Sequence, residues 1–392
     1  MQDYLNTSAR ALKQGAIRAM FDRMAGRENL ISLAVGEPDG NTHPDIVEAG
    51  CNALRQGYTR YTPNAGYLNL REAIASVTLP ELCYQPESEI IVTLGAMEAL
   101  SLLLNTIVEA GDEVIIPEPA WVNYASMVAY RGGIPAMVGC RMEHGFRVQM
   151  EDLEAAVSPR SKALLLTNPS NPTGAFLSRE DLGQIAAFAI RHELLVISDE
   201  IYGKLLYDEN VACSIAELPG MRERTVVVNG FSKAYNMTGW RIGYAMGPKE
   251  IIRRMVLLQE NVCSCPPAAI QMAALYALSR PDIPQEAASV FQQKRDLVYQ
   301  GLLGIEGIEC VKPSGAFYIF PNVSAIGLDV TRFCYDLLDQ EAVACVPGDA
   351  FGASGRGHIR ISYANSIKNL SVALERIERF VRRNKMAQGG AK

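Results

Sequence analysis

The sequence predicts an α/β fold: a mostly parallel central sheet with helices on both faces, followed by a smaller α+β unit. Two features carry that expectation. From Glu89 onward, short runs of branched apolar residues alternate with amphipathic stretches of helical length. After roughly residue 285 the alternation gives way to one long helical pattern and several short, separate apolar runs.

In order, EIIVTLG leads into the helical AMEALSLLLNTIVEAGD, and EVIIP into a helix after Trp121. KALLLTN leads into SREDLGQIAAFAIRHE, and LLVISDE and TVVVNG follow. These runs are apolar throughout rather than alternating, which marks strands buried on both faces of a parallel sheet. The last part holds the helix of QQKRDLVYQGLLG, then ECVKPSGAFYIFP, a helix at TRFCYDLLDQE, VACVPG, GHIRISYAN and a closing helix. Residues 36–285 are read as a large domain and 286–392 as a small one. Residues 1–35, including a helix up to Met24, are read as a segment packing on the small domain.

The chain has 392 residues, a net charge of -6 and no long charged run. That balance argues against nucleic acid or an anionic membrane as the main partner and points to a small molecule. The N-terminal stretch lacks the continuous apolar core of a signal peptide, and no later run is long enough for a membrane span, so the cytoplasm is expected. Nine cysteines, scattered apart from Cys263 and Cys265, read as reduced, mostly core thiols. Four histidines (His43, His144, His192, His358) lie far apart in no ligand-type spacing, so no metal is expected.

In a parallel sheet, ligands sit beyond the carboxyl ends of the strands. Gly95 closes one run and a helix starts at once, so the N–H groups of Ala96 and Met97 open toward an anion such as a phosphate. Ser232 offers a hydroxyl, and Arg241 a charged fork, to the same anion; Trp240, Ile242, Gly243 and Tyr244 around Arg241 look buried, and a buried guanidinium wants a counter-charge. Asp199 closes LLVISD, where an acid is buried at a cost unless it meets a cation or a protonated ring nitrogen; a helix N-cap is the plainer alternative. Tyr202 stands three residues on. Asn171 in NPSNPTG supplies an amide, and the two Asn-Pro bonds there suit a fixed turn, cis or trans. Trp121 offers a ring face, with a core role as the alternative.

Lys233, just after a buried strand, loses hydration unless a partner or a covalent bond replaces the water. Phosphate, pyridine nitrogen, ring oxygen and aldehyde each find a matching group in this set, which describes a site for pyridoxal 5'-phosphate. Lys233 would hold the aldehyde as a Schiff base and then carry a proton; Asp199 would keep the ring nitrogen protonated. The 34 residues between them span a connection and one further strand, returning both to one edge of the sheet.

LAVGEPD, YTPNAG, NPSNPTG, SDEIY, FSKAYNMTGWRIGY, PSGAFYIFP and HIRISYA occur in this order along the chain. Through them essentially the whole sequence resembles the class I and II aminotransferases of the pyridoxal-phosphate-dependent transferase fold type I. Within that family it looks similar to the bacterial subgroup of aromatic and N-acetyl-diaminopimelate aminotransferases. The resemblance implies that Lys233 binds the cofactor covalently, Asp199 pairs with the ring nitrogen, Tyr202 and Asn171 bond the ring oxygen, and Trp121 stacks. Gly95, Ala96, Met97, Ser232 and Arg241 match phosphate contacts, and Tyr61 matches a tyrosine reaching the phosphate from the second subunit of a homodimer. Arg360 matches the arginine that grips the substrate α-carboxylate, with the backbone of Gly36 nearby.

The expected reaction exchanges an amino group between an L-amino acid and a 2-oxo acid such as 2-oxoglutarate. A C–S β-lyase on the same fold is the alternative. Met97 stands where some aspartate-using relatives carry lysine, which counts against aspartate as the best substrate. Arg18 in GAIRAM reads as a solvated helix arginine, with a clamp on a distal carboxylate as its alternative.

Overall fold

The computed structural model describes residues 15–389, together with residues 4, 9 and 10. The sequence-based reading of the remaining N-terminal residues and of the last three lies outside the described residues. In chain order the strands are β1 (Ile31–Ser32), β2 (Ile90–Thr93), β3 (Glu113–Glu118), β4 (Ile134–Gly139), β5 (Ser161–Thr167), β6 (Leu195–Asp199), β7 (Thr225–Gly230) and β8 (Gly243–Met246). They continue with β9 (Tyr318–Ile319), β10 (Val343–Ala344), β11 (Val346–Pro347) and β12 (Ile359–Ser362).

The main sheet has seven strands in the order β2-β8-β7-β6-β5-β3-β4. All neighbours from β7 to β4 run parallel, and β8 is antiparallel to both β2 and β7. Why the strands are apolar throughout is visible in their two-residue period. Ala163 and Leu165 face one layer with Ile197, Leu103 and Ile252, while Leu164, Leu166 and Val196 face the other with Ile185 and Phe188. The helices Ala96–Ile107 and Lys249–Val262 cover the first face. The helix Arg179–Arg191 covers the second; its start is fixed by Ser178 and Asp181, each bonding the other's backbone N–H.

β4 and β8 are not among the runs read from the sequence. Ile134–Gly139 is a half-exposed edge strand carrying Pro135, and only an edge tolerates a residue that cannot donate to the ladder. Gly243–Met246 has only four residues and sits directly behind Arg241, too short to show a period of its own.

In the C-terminal part, β11, β12 and β9 form an antiparallel sheet, and β1 pairs in parallel with β10. Helices Asp282–Leu303, Val330–Glu341 and Ile367–Gly389 pack around them, with Phe333 meeting Phe380 edge-on at 5.1 Å. The helix Ala16–Met24 lies against this unit: Met24 Sδ accepts from Ser32 Oγ at 3.5 Å, and Arg27 just beyond the helix pairs with Asp339 at 2.6 Å. A division at residue 285 falls inside the single helix Asp282–Leu303. Among the described residues no helix is long and apolar enough to cross a membrane. All nine cysteines are free, but only Cys140, Cys334 and Cys345 are buried, so the expectation of mostly core thiols is corrected. Several of the others, Cys263 and Cys265 among them, line grooves rather than the core.

Candidate active site

The carboxyl ends of β2, β5, β6 and β7 open onto a cleft of about 310 Å³, closed from the other side by β9 and β12. Gly36, Ala96, Met97, Trp121, Asn171, Asp199, Tyr202, Ser232, Lys233, Arg241 and Arg360 all line it. Gly95 sits immediately beneath. Tyr61 does not line this cleft; it is 91% exposed, on a separate groove with Leu54, Tyr58 and Cys263.

Asp199 is the last residue of β6 and is buried. Its Oδ1 accepts the Ile201 N–H at 3.1 Å and its Oδ2 accepts the Tyr124 hydroxyl at 2.7 Å, which in turn accepts from Thr167 at 2.7 Å. Burial pushes the carboxyl up to about 6, against the pull of these hydrogen bonds and of Lys233. Lys233 follows β7, the neighbouring strand, and its Nζ donates to the Gly36 carbonyl at 2.7 Å. Burial lowers its amine to about 8; Glu37 opposes the shift, while Arg360 and Arg241 reinforce it.

Tyr202 and Tyr318 share a hydrogen bond of 2.9 Å, and burial raises both phenols. Arg360, on β12, is 2% exposed. Its guanidinium lies 4.7 Å from the ring centre of Tyr318 and 4.9 Å from that of Phe351, and donates to Asn171 Oδ1 at 3.1 Å and to the Ala34 carbonyl at 2.6 Å. Its Nε has no partner. Burial lowers its pKa, so the site holds a desolvated cation without a carboxylate.

The phosphate-facing corner behaves as its residues require. Gly95 has φ +84°, which only glycine adopts without strain, and a side chain there would come within 2.7 Å of Arg241 Nη2. A side chain on Gly243 would come within 2.6 Å of the Ala96 nitrogen. The N–H groups of Ala96 and Met97 open the helix and have no preceding turn to accept from them. Arg241 departs from expectation: its neighbours Ile242, Gly243 and Tyr244 are buried, yet Arg241 itself is exposed. At φ +55° its side chain turns out of the core into the cleft mouth, held by the carbonyls of Thr238 (2.8 Å) and Leu94 (3.2 Å). The Asn168-Pro169, Asn171-Pro172 and Glu118-Pro119 bonds are all cis. Arg18 is on the exposed face of its helix and pairs with Asp22 at 3.1 Å, away from the cleft.

Sequence reading missed Tyr124, Tyr318 and Thr238. Tyr124 stands three residues after Trp121 on the helix Asn123–Tyr130, one turn from a residue already singled out. A side chain at Gly36 would fall 2.5 Å from the Tyr318 hydroxyl, so the bare backbone there is shaped around that ring. Orphaned Nε of Arg360, the glycine-floored corner and the desolvated amine facing a buried acid together fit a phosphorylated pyridine aldehyde and a carboxylate.

The family profile described as aminotransferase class I and II matches residues 28–377. The chain belongs to the class I and II aminotransferases. A putative aminotransferase, YugH, of Bacillus subtilis is 46% identical, over 97% of this chain and 99% of that protein. An aspartate aminotransferase of Pyrococcus abyssi is 42% identical over 94% and 96%, and a probable N-acetyl-LL-diaminopimelate aminotransferase of Bacillus subtilis 38% over 99% and 98%. The crystal structure of an aromatic aminotransferase from Pyrococcus horikoshii superposes with a TM-score of 0.89 at 42% identity, covering 93% of this chain and 99% of that one. This aminotransferase therefore has the fold type I architecture of a pyridoxal-phosphate-dependent transaminase, and members of the family use pyridoxal 5'-phosphate on amino acid and 2-oxo acid substrates.

Proposed function

We propose that this aminotransferase runs its two half-reactions through Lys233, with Asp199, Arg241 and Arg360 as the fixed charges that position cofactor and substrate. The observation that carries this reading is the pairing of Lys233 and Asp199 on neighbouring strand ends in one cleft, with burial pushing amine and acid toward neutrality. Pyridoxal phosphate, when bound, supplies the electron sink and the carrier of the amino group. Asp199 would keep the ring nitrogen protonated, and Tyr202 with Asn171 would bond the ring oxygen. Ala96, Met97, Ser232 and Arg241 would hold the phosphate, and Trp121 would cover the ring. Arg360 would take the α-carboxylate, its Nε lacking any partner within the protein. Lys233 would hold the cofactor and serve as the base that takes the proton from the substrate α carbon.

For the substrate, we infer an aromatic amino acid or N-acetyl-diaminopimelate as amino donor and 2-oxoglutarate as acceptor. Besides Lys233, Arg241 and Arg360 no Lys or Arg of the described residues lines the cleft, and Met97, Leu100, Trp121 and Ile201 give it apolar walls. We further propose a homodimer as the active unit. Tyr61 points away from its own cleft, on an apolar groove of about 950 Å³ with Val47 and Leu54 exposed beside it, a surface suited to a second copy. A cytoplasmic location completes the reading, supported by nine free cysteines.

The test is a panel of amino acids against 2-oxoglutarate, following conversion of the bound cofactor by its absorbance. Phenylalanine, tyrosine or N-acetyl-LL-diaminopimelate should outpace aspartate, and Met97→Lys should move the preference toward aspartate. Aspartate as the fastest donor by tenfold or more overturns the substrate reading. Full activity in Lys233→Ala overturns the site itself.

A further inference from the structure

The carboxyl ends of β3 and β4 lie side by side, with Glu118 and Gly139 as register partners, and one loop of the C-terminal unit plugs onto that pair. Glu118 is buried, and its Oε1 accepts both the Ser354 N–H at 3.1 Å and the Ser354 hydroxyl at 3.2 Å. The socket is cut to fit. A side chain on Gly139 would come within 2.7 Å of Ser354 Oγ, and one on Gly352 would overlap Glu118 Oε2. Two residues beyond Glu118, the Ala120 N–H donates to the Phe351 carbonyl at 2.9 Å. The short helical turns Gly348–Phe351 and Ala353–Gly355 are thus held on the edge of the main sheet at two points.

We propose that Glu118 and Ser354 form a latch that positions Arg360 for the substrate carboxylate, an inference that rests on the role proposed for Arg360 above. The latched loop carries Phe351, whose ring centre lies 4.9 Å from the Arg360 guanidinium. Arg360 donates only to an amide oxygen and a carbonyl, so the rings of Phe351 and Tyr318 help to fix where its guanidinium points. A hydrogen bond to a carboxylate is roughly twice as strong as one between neutral groups, and a buried carboxylate has no water to replace a lost donor. Glu118 therefore grips the loop more firmly than an amide or hydroxyl could. With the latch open, Phe351 loses its seat and Arg360 is free to leave the orientation that meets a carboxylate. Lys233, Asp199, Ser232, Ala96 and Met97 stand beyond other strand ends, so the groups proposed to hold the cofactor keep their places.

The experiment reads steady-state kinetics with the fastest amino donor, the rate of pyridoxal phosphate release, and amide hydrogen exchange over residues 348–355, all in the holoenzyme. Glu118→Ala should raise KM for the amino donor by about fivefold or more, leave kcat and the release rate within about twofold of the wild type, and speed exchange across the loop. Ser354→Ala, which keeps the N–H donor, should shift KM the same way by about twofold. The double variant should be no worse than Glu118→Ala alone, because its second change removes a contact already lost. If Glu118→Ala folds poorly, Glu118→Gln keeps the volume and one acceptor and should still raise KM by about threefold. An unchanged KM, effects that multiply in the double variant, or a release rate that rises as much as KM overturns the inference. Arg360→Lys separates the two readings. If it leaves KM and kcat unchanged, the carboxylate role falls and the latch with it; if it impairs the enzyme while the Glu118 variants do not, only the latch falls.

Discussion

Replacing Asp199 by asparagine should stabilise the cofactor-free chain while crippling the enzyme, and the structure sets the size of the effect. Burial moves this carboxyl from its ordinary 3.8 to about 6. At ~1.4 kcal/mol per pH unit, ionising Asp199 in the empty fold costs about 3 kcal/mol. The sign follows from proton uptake. The folded acid keeps its proton to higher pH than the unfolded one, so the burden is absent below about pH 4, grows as pH rises, and is complete above about pH 6. Asparagine keeps an acceptor for the Ile201 N–H and never ionises. Melting the two cofactor-free proteins from pH 4 to 8 should show equal midpoints at the acid end and an advantage for Asp199→Asn of roughly 4 °C at pH 8. Glu200, pushed up to about 7 by burial despite bonds from Ser214 and Ser198, titrates in both proteins and largely cancels in the difference. With pyridoxal phosphate added the order should reverse, because only the carboxylate pairs with a protonated ring nitrogen. Parallel melting curves across the whole range, or a less stable variant at pH 8, would refute the reasoning.

Two further outcomes follow from named contacts. Arg360→Lys loses the fork and leaves Asn171 Oδ1 and the Ala34 carbonyl short of donors, so kcat/KM for every amino acid should fall by about a hundredfold or more while cofactor absorbance persists; equilibrium binding of a substrate-like monocarboxylate should weaken alongside it. Tyr61→Phe removes one hydroxyl from an exposed ring on the proposed interface, so the dimer seen by sedimentation should survive while pyridoxal phosphate dissociates more than about fivefold faster; an unchanged release rate would take Tyr61 away from the phosphate.

Most of the cleft was legible because its residues sit where a parallel sheet must put them. Asp199 closes β6 and Lys233 follows the adjacent β7 by three residues, and the continuous apolar runs that precede them announce burial on both faces. Arg360, singled out through the family resemblance, lies in the apolar strand β12 and proves almost wholly buried. What escaped was long-range or conformational. Tyr124 reaches Asp199 from 75 positions away, and Tyr318 reaches Tyr202 from 116, with no local pattern to betray either contact. Arg241 was expected to be buried like its neighbours. A positive φ turned it into the cleft instead, and apolar flanks alone carry no sign of that turn.

The misreading of Arg241 bears on how the cleft works. A guanidinium in the core would have needed a permanent partner, and a permanent partner would have removed its field from the cleft. Exposed at the mouth and held only by two carbonyls, Arg241 keeps its charge available to a ligand. Arg360 achieves the same end by the opposite route: it is buried, but bonded to an amide oxygen and a carbonyl rather than to an acid, with one nitrogen left over. Lys233 rests on a carbonyl as well. All three cations are thus held by neutral oxygens, which fix their positions without spending their charge. An anionic cofactor and an anionic substrate therefore complete an arrangement whose geometry already exists, and the reorganisation left for the reaction is largely confined to the lysine that must move.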